Sequence, residues 1–173
     1  MVMSLSPPGN VAYFAAVMYN PLKMSNTHEL LTRIWGLPAL LSEEFDFNHT
    51  EYYTPEMGSG LRKYFVAFTG ADGPERLPDY KLTAIEAETL FADGGKRIIN
   101  IDPGYLATEK VVVASTKNFT HRIYLCKGVY GDIQLTRRKG SYIPMPWTYA
   151  DYIRREASVF FNKLYALNRL PLC

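Results

Sequence analysis

Cysteine is nearly missing from this chain, with two in 173 residues: Cys126 inside an apolar stretch and Cys173 at the last position. That pair provides neither a disulfide framework nor a metal-ligand spacing, so no metal site is expected and a reducing cytoplasm suits the composition. Charge of one sign is also missing. Nineteen Lys and Arg stand against 17 Asp and Glu, a net charge of +2, too weak for the broad footprint of a general nucleic-acid binder; any basic surface must be local. The N-terminus lacks a basic segment followed by an apolar run and a cleavage site, and no apolar stretch approaches the ~20 residues that cross a bilayer. The expectation is a soluble, unexported protein with no membrane partner.

Catalytic signatures are absent as well. There is no Gly-x4-Gly-Lys-Ser/Thr loop, no Gly-x-Gly-x-x-Gly after a strand, no His-Glu-x-x-His and no Gly-x-Ser-x-Gly. Standard nucleotide loops, zincins and serine hydrolases are therefore unsupported, and no cofactor can be assigned.

What is present is apolar and aromatic. Apolar residues make up 47% of the chain, with 13 Tyr and 9 Phe, enough for one core in a single α+β domain over 10–173. Residues 1–9, which include Pro7 and Pro8, read as a flexible tail.

Val11 to Tyr19 is a continuous apolar run ended by Asn20-Pro21, as in a strand covered on both faces. Asn26 with Glu29 resembles a capping box before a helical face of Leu30, Leu31, Ile34 and Trp35, which Gly36 and Pro38 end. Leu41–Phe47 and Leu61–Thr69 read as strands around a Pro- and Gly-containing loop over 51–60. From about Pro78, Leu82, Ile85 and Leu90 mark a second helix closed by Gly94-Gly95, followed by a short strand, Arg97–Ile101. Strand, helix, strand, strand, helix, strand is the ferredoxin-like βαββαβ order. Lys110–Ala114, Arg122–Lys127 and Val129–Leu135 extend it as an antiparallel meander with a tight turn at Lys127-Gly128. After a polar, Pro-containing segment over 136–146, Thr148 and Asp151 form a Thr-x-x-Asp start for a C-terminal helix lined by Tyr152, Val159, Phe160, Leu164 and Leu167.

The densest polar chemistry lies between Asn100 and Arg122. His121 is flanked by Thr120 and Arg122, and an imidazole there can act as acid, base or hydrogen-bond donor to a phosphate, or stand as a hydrogen-bonded structural group. Lys117, Asn118, Arg122 and Lys127 could converge on one anion, although strand alternation sets His121 and Arg122 on opposite faces unless the strand starts later. Asp102 precedes Pro103-Gly104, a turn pair, where an Asp bonds its own backbone or, as an acid at a strand end, pairs with Glu109 as a metal-binding or general-base couple. The loop residues Tyr52, Tyr53, Glu56, Trp147, Tyr149, Asp151 and Tyr152 could stack a ring or cap a core edge.

Four ordered strings carry a resemblance. Tyr52-Tyr53-x-x-Glu56-Met57-Gly58, Asn100-x-Asp102-Pro103-Gly104-Tyr105-Leu106, Thr116-Lys117-Asn118-x-Thr120-His121-Arg122-Ile123-Tyr124-Leu125 and Pro146-Trp147-Thr148-Tyr149-x-Asp151-Tyr152 are similar to those of a prokaryotic, uncharacterised family, domain of unknown function 4416, over essentially the whole chain. The resemblance implies that these strings share one site.

The expected function is binding, with or without turnover, of a small phosphorylated or nucleotide-like metabolite. Lys117, Asn118, Arg122 and Lys127 would hold the anion, His121 and Asp102 would exchange protons, and Tyr52, Tyr53, Tyr105 and Trp147 would contact the ligand. The alternative is a non-catalytic RNA- or protein-binding adaptor. Neither reading fixes an oligomeric state.

Overall fold

The structure, a computed structural model, describes residues 8–168. Most of the expected 1–9 tail and Cys173 lie outside them. The run read as a doubly covered strand is β1 (Ala12–Tyr19), buried at every position but the last. It pairs antiparallel with β4 (Arg62–Phe68) on one side and β5 (Ile99–Leu106) on the other. Outward from β4 comes β2 (Pro38–Leu41); outward from β5 come β6 (Lys110–Ser115), β8 (Val129–Arg138) and β7 (Arg122–Cys126), all in one antiparallel sheet. The short strands β3 (Phe45–Asp46) and β9 (Ser141–Pro144) pair with β4 and β8.

Helices cover both faces. Odd-numbered β1 and β5 residues such as Ala15, Val17, Ile99 and Ile101 pack under α1 (Thr27–Trp35) and α3 (Leu77–Leu90), against Leu30, Leu31, Ala84 and Ala87. Even-numbered ones such as Phe14, Ala16 and Leu106 face α4 (Arg155–Asn168) and the 3-10 turn before it. There Phe160 and Phe161 of α4 pack edge-on against Phe14 at 6.2 and 5.0 Å. Each fully buried Phe contributes roughly 1.5–3 kcal/mol, so α4 is held by this apolar stripe.

Several local expectations are corrected. Asn26 makes no side-chain cap, and Glu29 pairs with Arg33 instead. Leu41–Phe47 is broken, because Ser42 turns back to bond Phe65 and only Phe45–Asp46 resumes pairing. The loop over 51–60 contains one helical turn, α2 (Thr54–Met57). The buried stripe of α3 is Leu77, Lys81, Ala84 and Glu88 rather than Leu82, Ile85 and Leu90, the last of which is 79% exposed. Asp102-Pro103-Gly104 is not a turn: β5 runs straight through it. The polar 136–146 segment continues β8 and returns as β9 through Lys139-Gly140, both with positive φ, repeating the Lys127-Gly128 hairpin chemistry. Thr148 starts no helix. Its hydroxyl is bonded to Gln134 O, and α4 begins at Arg155.

Candidate functional site

A proline opens the sheet. Pairing of β5 with β6 runs from Leu106↔Val111 to Gly104↔Val113 and stops where Pro103, with no N–H to give, would be next. Below that point the outward-facing backbone of Ile101 needs partners. Its N–H donates to Glu88 Oε1 at 2.6 Å and its carbonyl accepts from Lys81 Nζ at 3.1 Å, so two charged side chains of α3 stand in for the missing strand. Gly104 is required at the start of the gap, because a Cβ there would lie 2.5 Å from Val112 O and 2.6 Å from the Phe14 ring.

The gap is the floor of a cleft of about 580 Å³. Lys81 Nζ reaches Asp102 Oδ1 at 2.9 Å, and Asn100 Nδ2 donates to Asp102 Oδ2 at 2.7 Å. Arg97 donates to Asn100 Oδ1 at 2.7 Å and clamps both oxygens of Glu56, at 2.7 and 2.8 Å. Beside them Lys63 and Asp151 form a 2.7 Å ion pair with side chains only 7% and 4% exposed. Burial pushes the Asp102 carboxyl up, but the Lys81 and Lys63 ammoniums, with hydrogen bonds from Lys81 and Asn100, outweigh it and hold Asp102 below the usual carboxylate range. For Glu88 burial wins over the Lys81 charge and its carboxyl is held high. Burial, aided by the Asp102 charge, pushes the Tyr53 phenol up to about 12.

One wall is aromatic. Phe47 lies against His49 at 4.2 Å and Tyr53 at 5.7 Å, and Tyr53 against Tyr52 at 5.0 Å. The opposite wall is the end of β6 and its loop, Ser115 to Lys117, with Arg122 and Tyr149. Lys117 Nζ donates to Tyr52 OH at 2.9 Å, joining the two walls at the mouth and drawing the Tyr52 phenol below its ordinary value. Among the described residues Lys117 has no carboxylate partner. Arg122 is different: Nε donates to Asp132 Oδ2 at 2.8 Å, Nη1 to Ser115 Oγ at 3.0 Å and Lys117 O at 2.9 Å, and Nη2 to Tyr149 OH at 2.6 Å. Most of its donors are spent on the scaffold.

Of the residues singled out from the sequence, the cleft gathers Asp102, Lys117, Arg122, Tyr52, Tyr53, Tyr149 and Asp151. The other expected ligand and proton-transfer residues lie elsewhere. His121 precedes β7, stacks on Trp147 at 4.8 Å and faces Asp132 Oδ2 at 3.5 Å; no hydrogen bond joins it to Asp102. Because the strand starts at Arg122, His121 and Arg122 both reach Asp132. Trp147 donates its indole N–H to Ile133 O. Tyr105 faces the α3 side against Tyr13, Asn118 is exposed, and Lys127 pairs with Asp79 at 2.8 Å, so Lys127 does not converge with Lys117. Glu109 pairs with Lys110, not with Asp102.

Three cations of the cleft were missed: Lys63, Lys81 and Arg97. Their signal was faint but present. Lys63 shares strand parity with Phe65 and Ala67, and Lys81 shares the i, i+4 stripe of Leu77, Ala84 and Glu88. Charge on a core-facing stripe is costly unless paired, which marks such residues for attention. No cluster of three or more His, Cys, Asp or Glu among the described residues is arranged to hold a metal, and no described helix is long and apolar enough to cross a membrane.

These features define a mixed α/β protein whose large antiparallel sheet is split by a charged, aromatic-walled cleft. The chain belongs to the family described as Domain of unknown function (DUF4416), whose model matches residues 9–167. No curated protein and no solved structure matches it.

Proposed function

We propose that the cleft binds a small phosphorylated or nucleotide-like metabolite, with turnover where the ligand's chemistry allows it. The observation that carries this reading is the lining: Lys63, Lys81, Arg97, Lys117 and Arg122 against Asp102 and Asp151, beside a wall of aromatic rings. Lys117 supports it most directly, as a rim cation whose one side-chain bond among the described residues is to a neutral phenol that an anion can replace. A volume of about 580 Å³ suits a metabolite rather than a strand of RNA lying on a flat face. An RNA- or protein-binding adaptor remains the rival reading.

The order β2-β4-β1-β5, with α1 and α3 over one face, supports reading the first part of the chain as a ferredoxin-like unit. The free, exposed thiol of Cys126 supports a reducing, cytoplasmic location.

Thermal unfolding of the native protein with orthophosphate, phosphosugars and nucleoside phosphates tests the reading. A ligand at about 100 times its dissociation constant adds about 2.7 kcal/mol. A shift with phosphates that Lys117→Ala removes is the expected result; no shift with any phosphate, together with retention of RNA oligonucleotides, would favour the adaptor.

A further inference from the structure

The mouth of the cleft carries a cation without a carboxylate partner among the described residues and its floor a carboxylate with acceptor sites to spare, and this, resting on the anion-binding reading above, narrows its ligand. At the mouth stands Lys117, exposed and without a carboxylate partner among the described residues. On the floor stands the Asp102 carboxylate, 27% exposed to the cleft. Its two oxygens take one hydrogen bond each, from Lys81 and Asn100. A carboxylate offers about four acceptor sites, so two remain open.

An anion placed against Asp102 would meet a like charge at its closest, and on Asn100 it would find a single N–H, since the other serves Asp102 and the carbonyl takes Arg97. A cationic ligand group placed there would meet Lys81, which is 2.9 Å from Asp102, and the Lys63 ammonium beside it. What fits the floor is a neutral group rich in O–H or N–H donors.

We infer that the cleft takes a bipolar ligand, its phosphate at Lys117 and neutral hydrogen-bond donors, the hydroxyls of a sugar or the amino edge of a base, on Asp102. The ring wall of Tyr52 and Tyr53 lies between the two ends. Ionised Asp102 is the form that accepts such donors, and its surroundings hold it in that form.

Matched phosphates test this by titration calorimetry on the whole protein. The probes are orthophosphate, phenyl phosphate, ribose 5-phosphate, adenosine 5′-monophosphate and its 2′,3′-dideoxy analogue. Losing a hydrogen bond to a charged acceptor weakens binding by about tenfold or more. Ribose 5-phosphate or adenosine monophosphate should therefore bind at least about tenfold tighter than phenyl phosphate. Loss of that advantage in the dideoxy analogue assigns the donors to the sugar; its retention assigns them to the base. Asp102→Asn should narrow the gap, partly by tightening phenyl phosphate, while Lys117→Gln should weaken all the phosphates alike.

Phenyl phosphate binding as tightly as the donor-bearing probes would overturn the inference and leave anion binding standing. Should no phosphate bind at all, both readings fall. If Asp102→Asn does not fold, the probe ratio on the native protein decides alone.

Discussion

Lys81 of α3 and Asp102 of β5 belong to opposite sides of the sheet, and their 2.9 Å ion pair crosses it where Pro103 ends the pairing of β5 with β6. The even-numbered parity of Asp102 places its carboxylate on the α4 side, with Leu106. The site thus exists because the pairing of β5 with β6 is interrupted and a side chain of α3 reaches through.

Replacing Lys81 by Met should destabilise strongly. It leaves the Ile101 carbonyl and Asp102 without their ammonium, and breaking a buried pair from one side costs about 3–5 kcal/mol. Adding Asp102→Asn should recover part of the loss, since the two groups are in contact and their effects do not add. Urea midpoints for the single and double variants measure the coupling; additive losses would show that the pair does not act as a unit.

Opposite pH trends are expected from Asp102 and Glu88. The Asp102 contribution is present above about pH 4, the ordinary aspartate value, and is lost as pH falls through its lower folded value. Glu88, held high mainly by burial, favours the folded state when protonated. Its contribution therefore declines as pH rises past about 4.3, the ordinary glutamate value, toward its raised folded one. Unfolding free energies measured across this range should lose their acid-side slope in Asp102→Asn and their neutral-side decline in Glu88→Gln.

Arg122 and Lys117, neighbours at the cleft wall, should separate cleanly. Arg122→Ala takes the nearest cation from Asp132, whose side chain is 1% exposed, leaving it His121 and Tyr149 at 3.5 and 3.4 Å, and should cost about 3 kcal/mol. Lys117→Ala removes an exposed side chain and should change stability by no more than about 0.5 kcal/mol while weakening phosphate binding. Denaturation midpoints and phosphate titrations on both variants check this. Equal stability losses would mean that the Lys117–Tyr52 bond is structural.

Gly104→Ala should destabilise by about 1–3 kcal/mol, the usual cost of forcing a methyl group into a packed core. The methyl would press on the Val112 carbonyl and the Phe14 ring, and neither backbone nor buried ring can yield cheaply. A smaller companion change, Phe14→Leu, should relieve part of the cost if the ring is the obstacle. Thermal unfolding of the single and double variants gives the answer.

Much of the site was legible where local chemistry decides it. The Lys127-Gly128 hairpin and the apolar β1 follow from turn residues and patterning alone. Asp102, Lys117, Tyr52 and Tyr53 stood out as polar or aromatic residues in loops or beside strands, and the fold brings them to one cleft. His121 stood out for the same reason, yet its neighbours Trp147 and Asp132 come from elsewhere in the chain and hold it outside the cleft lining.

By itself the sequence determined the main strands and helices, β1, β4, β6, β7, β8, α1 and α3, because side-chain periodicity and turn preferences act over a few residues, but not the short elements α2, β3 and β9. Only the tertiary structure decided that Pro103 lies inside a strand rather than a turn, since β1 supplies the pairing on its other edge. Likewise only the fold turned Lys81 and Glu88 inward. Helical apolarity favoured Leu82 and Leu90 for the buried face, but the unpaired N–H and C=O of Ile101 demand an acceptor and a donor, and an unsatisfied buried backbone group costs more than an exposed leucine.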